Sequence, residues 1–150
     1  MFHDFIYACS RGNIDKVKFF LEDRGVDPSD LKNYAIRKAS CGGHTEVVKL
    51  LLDDPRVDPG DRQNEAIRVA SEKGHTEVVK LLLGDPRVDP SNYQNLAIRF
   101  ASSQGHVEVV KLLLGDPRVD PRAWENEAIR EASFGGHLEV VKLLLGDPRV

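Results

Sequence analysis

Four histidines, His44, His75, His106 and His137, stand 31 residues apart, each preceded by Gly and followed two residues later by Glu. Imidazoles in a set suggest a metal, but ligands must converge to about 2 Å from one ion. Equivalent residues on stacked helices lie about 8–10 Å apart. A ladder of this kind cannot converge, so the histidines read as structural, and neither metal nor cofactor is expected. Asn13 stands in their column in the first copy. Asn and His share a short polar side chain that can accept a hydrogen bond, and Asn is a strong cap for the free amides of a helix start. The column therefore reads as a helix cap.

A second ladder is Arg37, Arg68, Arg99 and Arg130. Guanidinium groups grip phosphate or acidic partners, or they satisfy loop carbonyls and acids such as Asp58, Asp89 and Asp120. The second role is the expectation here. The Glu-x-x-Lys pairs, Glu46/Lys49 through Glu139/Lys142, read as a solvated helix face. Cys9 and Cys41 fall in different columns and have no basic activator nearby, so they read as free thiols of a reducing compartment rather than nucleophiles. No Ser-His-Asp order, Cys/His pair or phosphate-cradling Gly loop is present, and carboxylate pairs recur everywhere. No enzyme is expected.

What positions these ladders is a repeat. The stretch Gly74-His-Thr-Glu-Val-Val-Lys-Leu-Leu-Leu-Gly-Asp-Pro-Arg-Val-Asp-Pro90 recurs nearly unchanged from Gly43, Gly105 and Gly136, with a degenerate copy from Gly12 to Pro28. A fixed period of this size marks an array in which each unit needs a neighbour to cover its apolar face. Within each copy an Asn (Asn33, Asn64, Asn95, Asn126) precedes Ala-Ile-Arg-x-Ala-Ser, a short helix closed by Gly43, Gly74, Gly105 or Gly136. The His-x-Glu-Val-Val-Lys-Leu-Leu-Leu run is a second helix. Gly84, Gly115 or Gly146 closes it, and the following Pro prevents its extension. Arg-Val-Asp-Pro is then an extended turn anchored by one valine: Val26, Val57, Val88, Val119 or Val150. Asp4 and Lys16 put polar groups in columns that are apolar later, as a terminal cap requires.

The 150 residues suit one domain, 1–150, made of a cap at 1–28 and units at 29–59, 60–90, 91–121 and 122–150. At 41% hydrophobic and 30% charged, the composition is that of a folded domain. A net charge of −3 with mixed signs in every unit argues against nucleic acid or an anionic membrane as partner. Lysines interrupt every apolar run, far short of the roughly 20 residues of a membrane span. The start, Met1-Phe-His-Asp-Phe, does not read as a secretory signal.

Two short helices plus a turn, with Gly-His-x-Glu-Val-Val-Lys-Leu-Leu-Leu in the second helix, resemble the ankyrin repeat across essentially the whole chain. The family's Thr-Pro-Leu-His is here Glu65-Ala66-Ile67-Arg68 and its equivalents, and the family's usual period, about 33 residues, is 31. The missing residues flank the Val of Arg-Val-Asp-Pro, so a shorter or folded-back turn is expected in place of a β-hairpin tip. Arg37, Arg68, Arg99 and Arg130 are expected to replace the family's Thr-His network and tie neighbouring turns together. This variety is similar to the expanded ankyrin arrays of large DNA viruses of protists. The resemblance implies an all-α ankyrin-type solenoid of about five repeats, a non-catalytic protein-interaction module working in the cytoplasm, the host cytoplasm if viral. The alternative is a structural spacer or self-assembly segment of a longer array.

Some columns change freely while the scaffold stays fixed. The turn column reads Leu31, Arg62, Tyr93, Trp124, and the first-helix column reads Tyr34, Glu65, Leu96, Glu127. Mid-helix comes Lys38, Val69, Phe100, Glu131, and near the helix end Cys41, Glu72, Ser103, Phe134 and Gly42, Lys73, Gln104, Gly135. In ankyrin proteins such positions line the concave groove and turn tips. The resemblance therefore implies a protein partner bound by Tyr93, Trp124, Phe100, Phe134, Arg62, Leu96, Lys73 and Glu72, with aromatics and Arg as hot-spot residues. Phe100 could equally fill a gap between first helices. The last helix keeps Val140, Val141, Leu143, Leu144 and Leu145 without polar replacement, and the sequence stops inside Asp147-Pro-Arg-Val150. The expectation is a piece of a longer array or self-association through that end.

Overall fold

The computed structural model describes residues 1–23 and 25–150. These form ten helices and no strand: α1 (Phe2–Ser10), α2 (Ile14–Glu22), α3 (Asp30–Cys41), α4 (Thr45–Leu52), α5 (Asp61–Lys73), α6 (Thr76–Leu83), α7 (Asn92–Ser103), α8 (Val107–Leu114), α9 (Ala123–Phe134) and α10 (Leu138–Gly146). Each odd helix packs on the even helix that follows it and on the odd helices before and after it; the even helices stack likewise. The architecture is an all-α solenoid of five helix pairs. None of its helices, among the described residues, is long and apolar enough to cross a membrane.

The periodic columns explain the stack. Ile36, Ile67 and Ile98 are fully buried between successive odd helices, flanked by Ala35/Ala39, Ala66/Ala70 and Ala97/Ala101. Alanine lets odd helices approach closely, and they pack together more extensively than the even helices, whose contact columns are Val and Leu. The stack therefore curves toward the odd helices, whose side is the concave one. Val26, Val57, Val88 and Val119 pin each turn to the core. Gly43, Gly74, Gly105 and Gly136 take φ between 71 and 74°, as a left-handed helix end requires. The glycines after the even helices do not: Gly84 and Gly115 stay right-handed at φ −74 and −70°, and Asp53 does the same work in that column at φ −73°.

Two features correct the sequence expectation. First, the histidines occupy the N-cap positions of α4, α6, α8 and α10, but none caps through its side chain. Only Asn13 does, accepting from the Lys16 amide at 3.1 Å. The rings instead reach the preceding repeat: Nε2 of His44, His75, His106 and His137 lies 2.8–2.9 Å from the carbonyls of Ser10, Cys41, Glu72 and Ser103. Second, each of α3, α5, α7 and α9 opens with three consecutive left-handed residues, Leu31–Asn33, Arg62–Asn64, Tyr93–Asn95 and Trp124–Asn126. The sequence places the shortened turn around the Arg-Val-Asp-Pro valine, whereas this left-handed run begins five residues after it, for example at Arg62 after Val57. A left-handed residue with a Cβ costs about 1–2 kcal/mol, and in the inner repeats side chains hold the turn from several sides.

Candidate interaction surface

The turn is held by an Asp, an Asn and two arginines. Asp58 and Asp89 fold the chain after themselves by accepting from the amides of Gly60 and Ser91 at 2.9 Å. Asn33 Oδ1 accepts from the Asp58 amide of the next repeat at 2.7 Å, and Asn64 and Asn95 do the same with Asp89 and Asp120. Arg56, Arg87, Arg118 and Arg149 grip the Asp two residues earlier with both carboxylate oxygens. The same guanidinium then donates to the preceding repeat's valine carbonyl, at 2.8 Å for Arg87, Arg118 and Arg149. These side-chain hydrogen bonds hold Asp54, Asp85, Asp116 and Asp147 below the ordinary carboxylate range.

The Ala-Ile-Arg arginines act chiefly on their own repeat. Arg37 donates to the carbonyls of Leu31 and Lys32 at 3.3 and 3.2 Å, and Arg68 to those of Gln63 and Arg62 at 3.0 and 3.1 Å. They clamp the left-handed turn rather than Asp58, Asp89 or Asp120. Their reach to the next repeat depends on what stands there. Arg37 pairs with Glu65 at 3.2 Å, and Arg99 pairs with Glu127. Where the column holds Leu96 instead, Arg68 lies under the Tyr93 ring, 5.3 Å from its centroid. Arg99 also lies 4.6 Å from the Trp124 centroid. A guanidinium stacked on one face of each ring fixes it while leaving the other face open.

Tyr93 and Trp124 are therefore neighbours in one column, 58% and 59% exposed. Arg62 is exposed in the same column, its Nε 3.8 Å from Glu65. Phe100 is half-buried one helical turn after Leu96, itself only 8% exposed. Lys73 and Glu72 pair at 3.7 Å near the end of α5. Phe134, 93% exposed, sits at the end of α9, away from the turn column. A cleft of about 370 Å³ beside Trp124 is lined by Glu125, Glu127 and Arg130, and one of about 720 Å³ around Arg62 by Lys32, Asp61, Gln63, Glu65 and Arg68.

The sequence reading misses the Arg–Glu bridges, which join residues 28 apart. Their signal is an acid in the Glu65/Glu127 column one repeat after an Arg. Cys9 is buried, which pushes its thiol up to about 12, and Cys41 is half-buried; neither is in a disulfide. Among the described residues, no three His, Cys, Asp or Glu side chains gather as they would around a metal ion. The turn column carries Arg62, Tyr93 and Trp124 side by side, each exposed.

A family model described as ankyrin repeats in three copies matches residues 5–94, and one described as ankyrin repeats in many copies matches residues 98–145. Comparison with curated proteins finds no match.

Proposed function

The chain belongs to the ankyrin repeat family, whose repeats generally serve protein–protein interaction, and from that premise we propose a non-catalytic module that binds a protein partner along its concave side and turn tips. The observation that carries this reading is the pair Tyr93 and Trp124, each exposed and each stacked on an arginine of the preceding repeat. Large rings held rigid before binding lose little entropy on contact, which is how a small surface reaches useful affinity. Arg62, Lys73 and Glu72 supply the polar margin, and Phe100 with Phe134 extends the apolar area along α7 and α9. The two free thiols suit a reducing cytoplasm.

The test compares proteins captured by the unaltered chain with those captured by Tyr93→Ala/Trp124→Ala, quantified by mass spectrometry beside thermal melts. A partner lost at an unchanged Tm supports the reading, and an identical captured set contradicts it. A second reading, self-association through the last repeat, is favoured by the exposed Phe134, Leu138 and Leu145. Light scattering across concentration should then show association that Phe134→Asp/Leu145→Asp abolishes. A monodisperse monomer at every concentration would discard it.

A further inference from the structure

The solvent-facing columns differ in charge along the stack. At the N-terminal end Arg11, Lys32 and Lys38 reach solvent without an ion pair among the described residues, and Arg62 follows. Asp30 is exposed two residues from Lys32 and half-buried Asp61 lines the cleft beside it, so the cations Arg11, Lys32, Lys38 and Arg62 outnumber the unpaired acids of that side. On α7 and at its C-cap the fourth repeat presents Tyr93, Gln94, Phe100, Ser103 and Gln104, none of them charged. At the last repeat Glu125 and Glu131 are exposed with no ion pair among the described residues, and Arg130 is the nearby cation. The bridges Arg37–Glu65 and Arg99–Glu127 are already neutralised and add nothing to either end.

Three repeat spacings separate Lys38 from Glu131, about 24–30 Å for helices packed side by side. That exceeds the screening length of about 8–10 Å in physiological salt. The two ends therefore act on a ligand as separate patches of opposite sign rather than cancelling. Building on the groove reading above, we propose that this side of the stack selects an extended protein segment that is itself charge-segregated. Its acidic end lies over Lys32 and Lys38, its apolar middle over Tyr93 and Phe100, and its basic end over Glu125 and Glu131. At about 3.3 Å per extended residue, 8–10 residues span the gap. A polyanion such as nucleic acid does not fit, because its uniform charge meets Glu125 and Glu131 head-on. Matching charges at both ends fix the direction in which the segment lies and exclude segments of the opposite order.

The test selects displayed random peptides of about 12 residues on the intact protein, then measures the enriched peptides by fluorescence anisotropy. Variants are Lys32→Gln/Lys38→Gln/Glu125→Gln/Glu131→Gln and Trp124→Ala, each checked for an unchanged circular-dichroism melt. Expected are sequences with Asp or Glu toward one end, Lys or Arg toward the other and apolar residues between, bound at least about 10-fold more weakly by the neutralised variant and in high salt. Sequences without segregation, bound equally by the neutralised variant yet lost with Trp124→Ala, overturn this inference and leave the groove reading standing. Sequences that Trp124→Ala still binds in full overturn both. A selection that enriches nothing overturns the charge-segregated ligand.

Discussion

The third repeat and the last carry nearly the same scaffold residues, but the third is covered by a neighbour and the last is not. Ile67 is fully buried and Ile129 only partly. Asn64 is buried with its Oδ1 on the Asp89 amide, whereas Asn126 is exposed. A Cβ on Gly74 would meet His106 at 2.6 Å, and one on Gly136 would meet nothing. Identical residues in identical backbone thus have different environments, set wholly by the adjoining repeat. The difference teaches that the core of this protein lies between units rather than within them.

Paired substitutions sharpen the comparison. Ile67→Ala should cost about 3–4 kcal/mol in denaturant unfolding and Ile129→Ala about half that or less, since the second leaves a smaller cavity. Equal costs would erase the distinction. Gly74→Ala should follow at about 2–3 kcal/mol, combining left-handed strain with a collision against the His106 ring. Gly136→Ala should show the strain alone, about 1 kcal/mol. Asn64→Ala removes the part-buried acceptor of the Asp89 amide and should cost about 1 kcal/mol. Asn126→Ala should stay within about 0.5 kcal/mol.

The smallest effect is in pH. Asp85 and its equivalents stay ionised to lower pH when folded than when unfolded, because an arginine donates to both oxygens. Their stabilisation is therefore fully present above the unfolded aspartate value of about 3.9 and is lost as pH falls through the lower folded values. Stability measured from pH 6 down to 2 should decline in that window, and Asp85→Asn should flatten the decline. A profile unchanged by Asp85→Asn would deny the clamp its role.

The left-handed glycines and the exposure of Tyr93 and Trp124 were legible because the repeats, set in register, separate fixed columns from free ones. The left-handed turn was not. Leu31-Lys32-Asn33 and its counterparts contain no glycine, and the turn is braced by side-chain contacts that no local pattern announces: Arg37 on the Lys32 carbonyl within the repeat and Asn33 on the Asp58 amide of the next. The histidines misled for a related reason. Residue type and position at a helix start indicate a cap, but which way the ring turns is decided by a carbonyl 34 residues earlier. Leu96 reads as a surface residue in its variable column and is buried, because its neighbours close over it.

The claim that neighbours create the core is tested most directly by appending one further copy of the sequence 89–121 after Val150, in register, and repeating the unfolding of Ile129→Ala. The account predicts a higher unfolding midpoint for the extended chain and a cost at Ile129 that rises to match Ile67. An unchanged midpoint with an unchanged cost at Ile129 would contradict it.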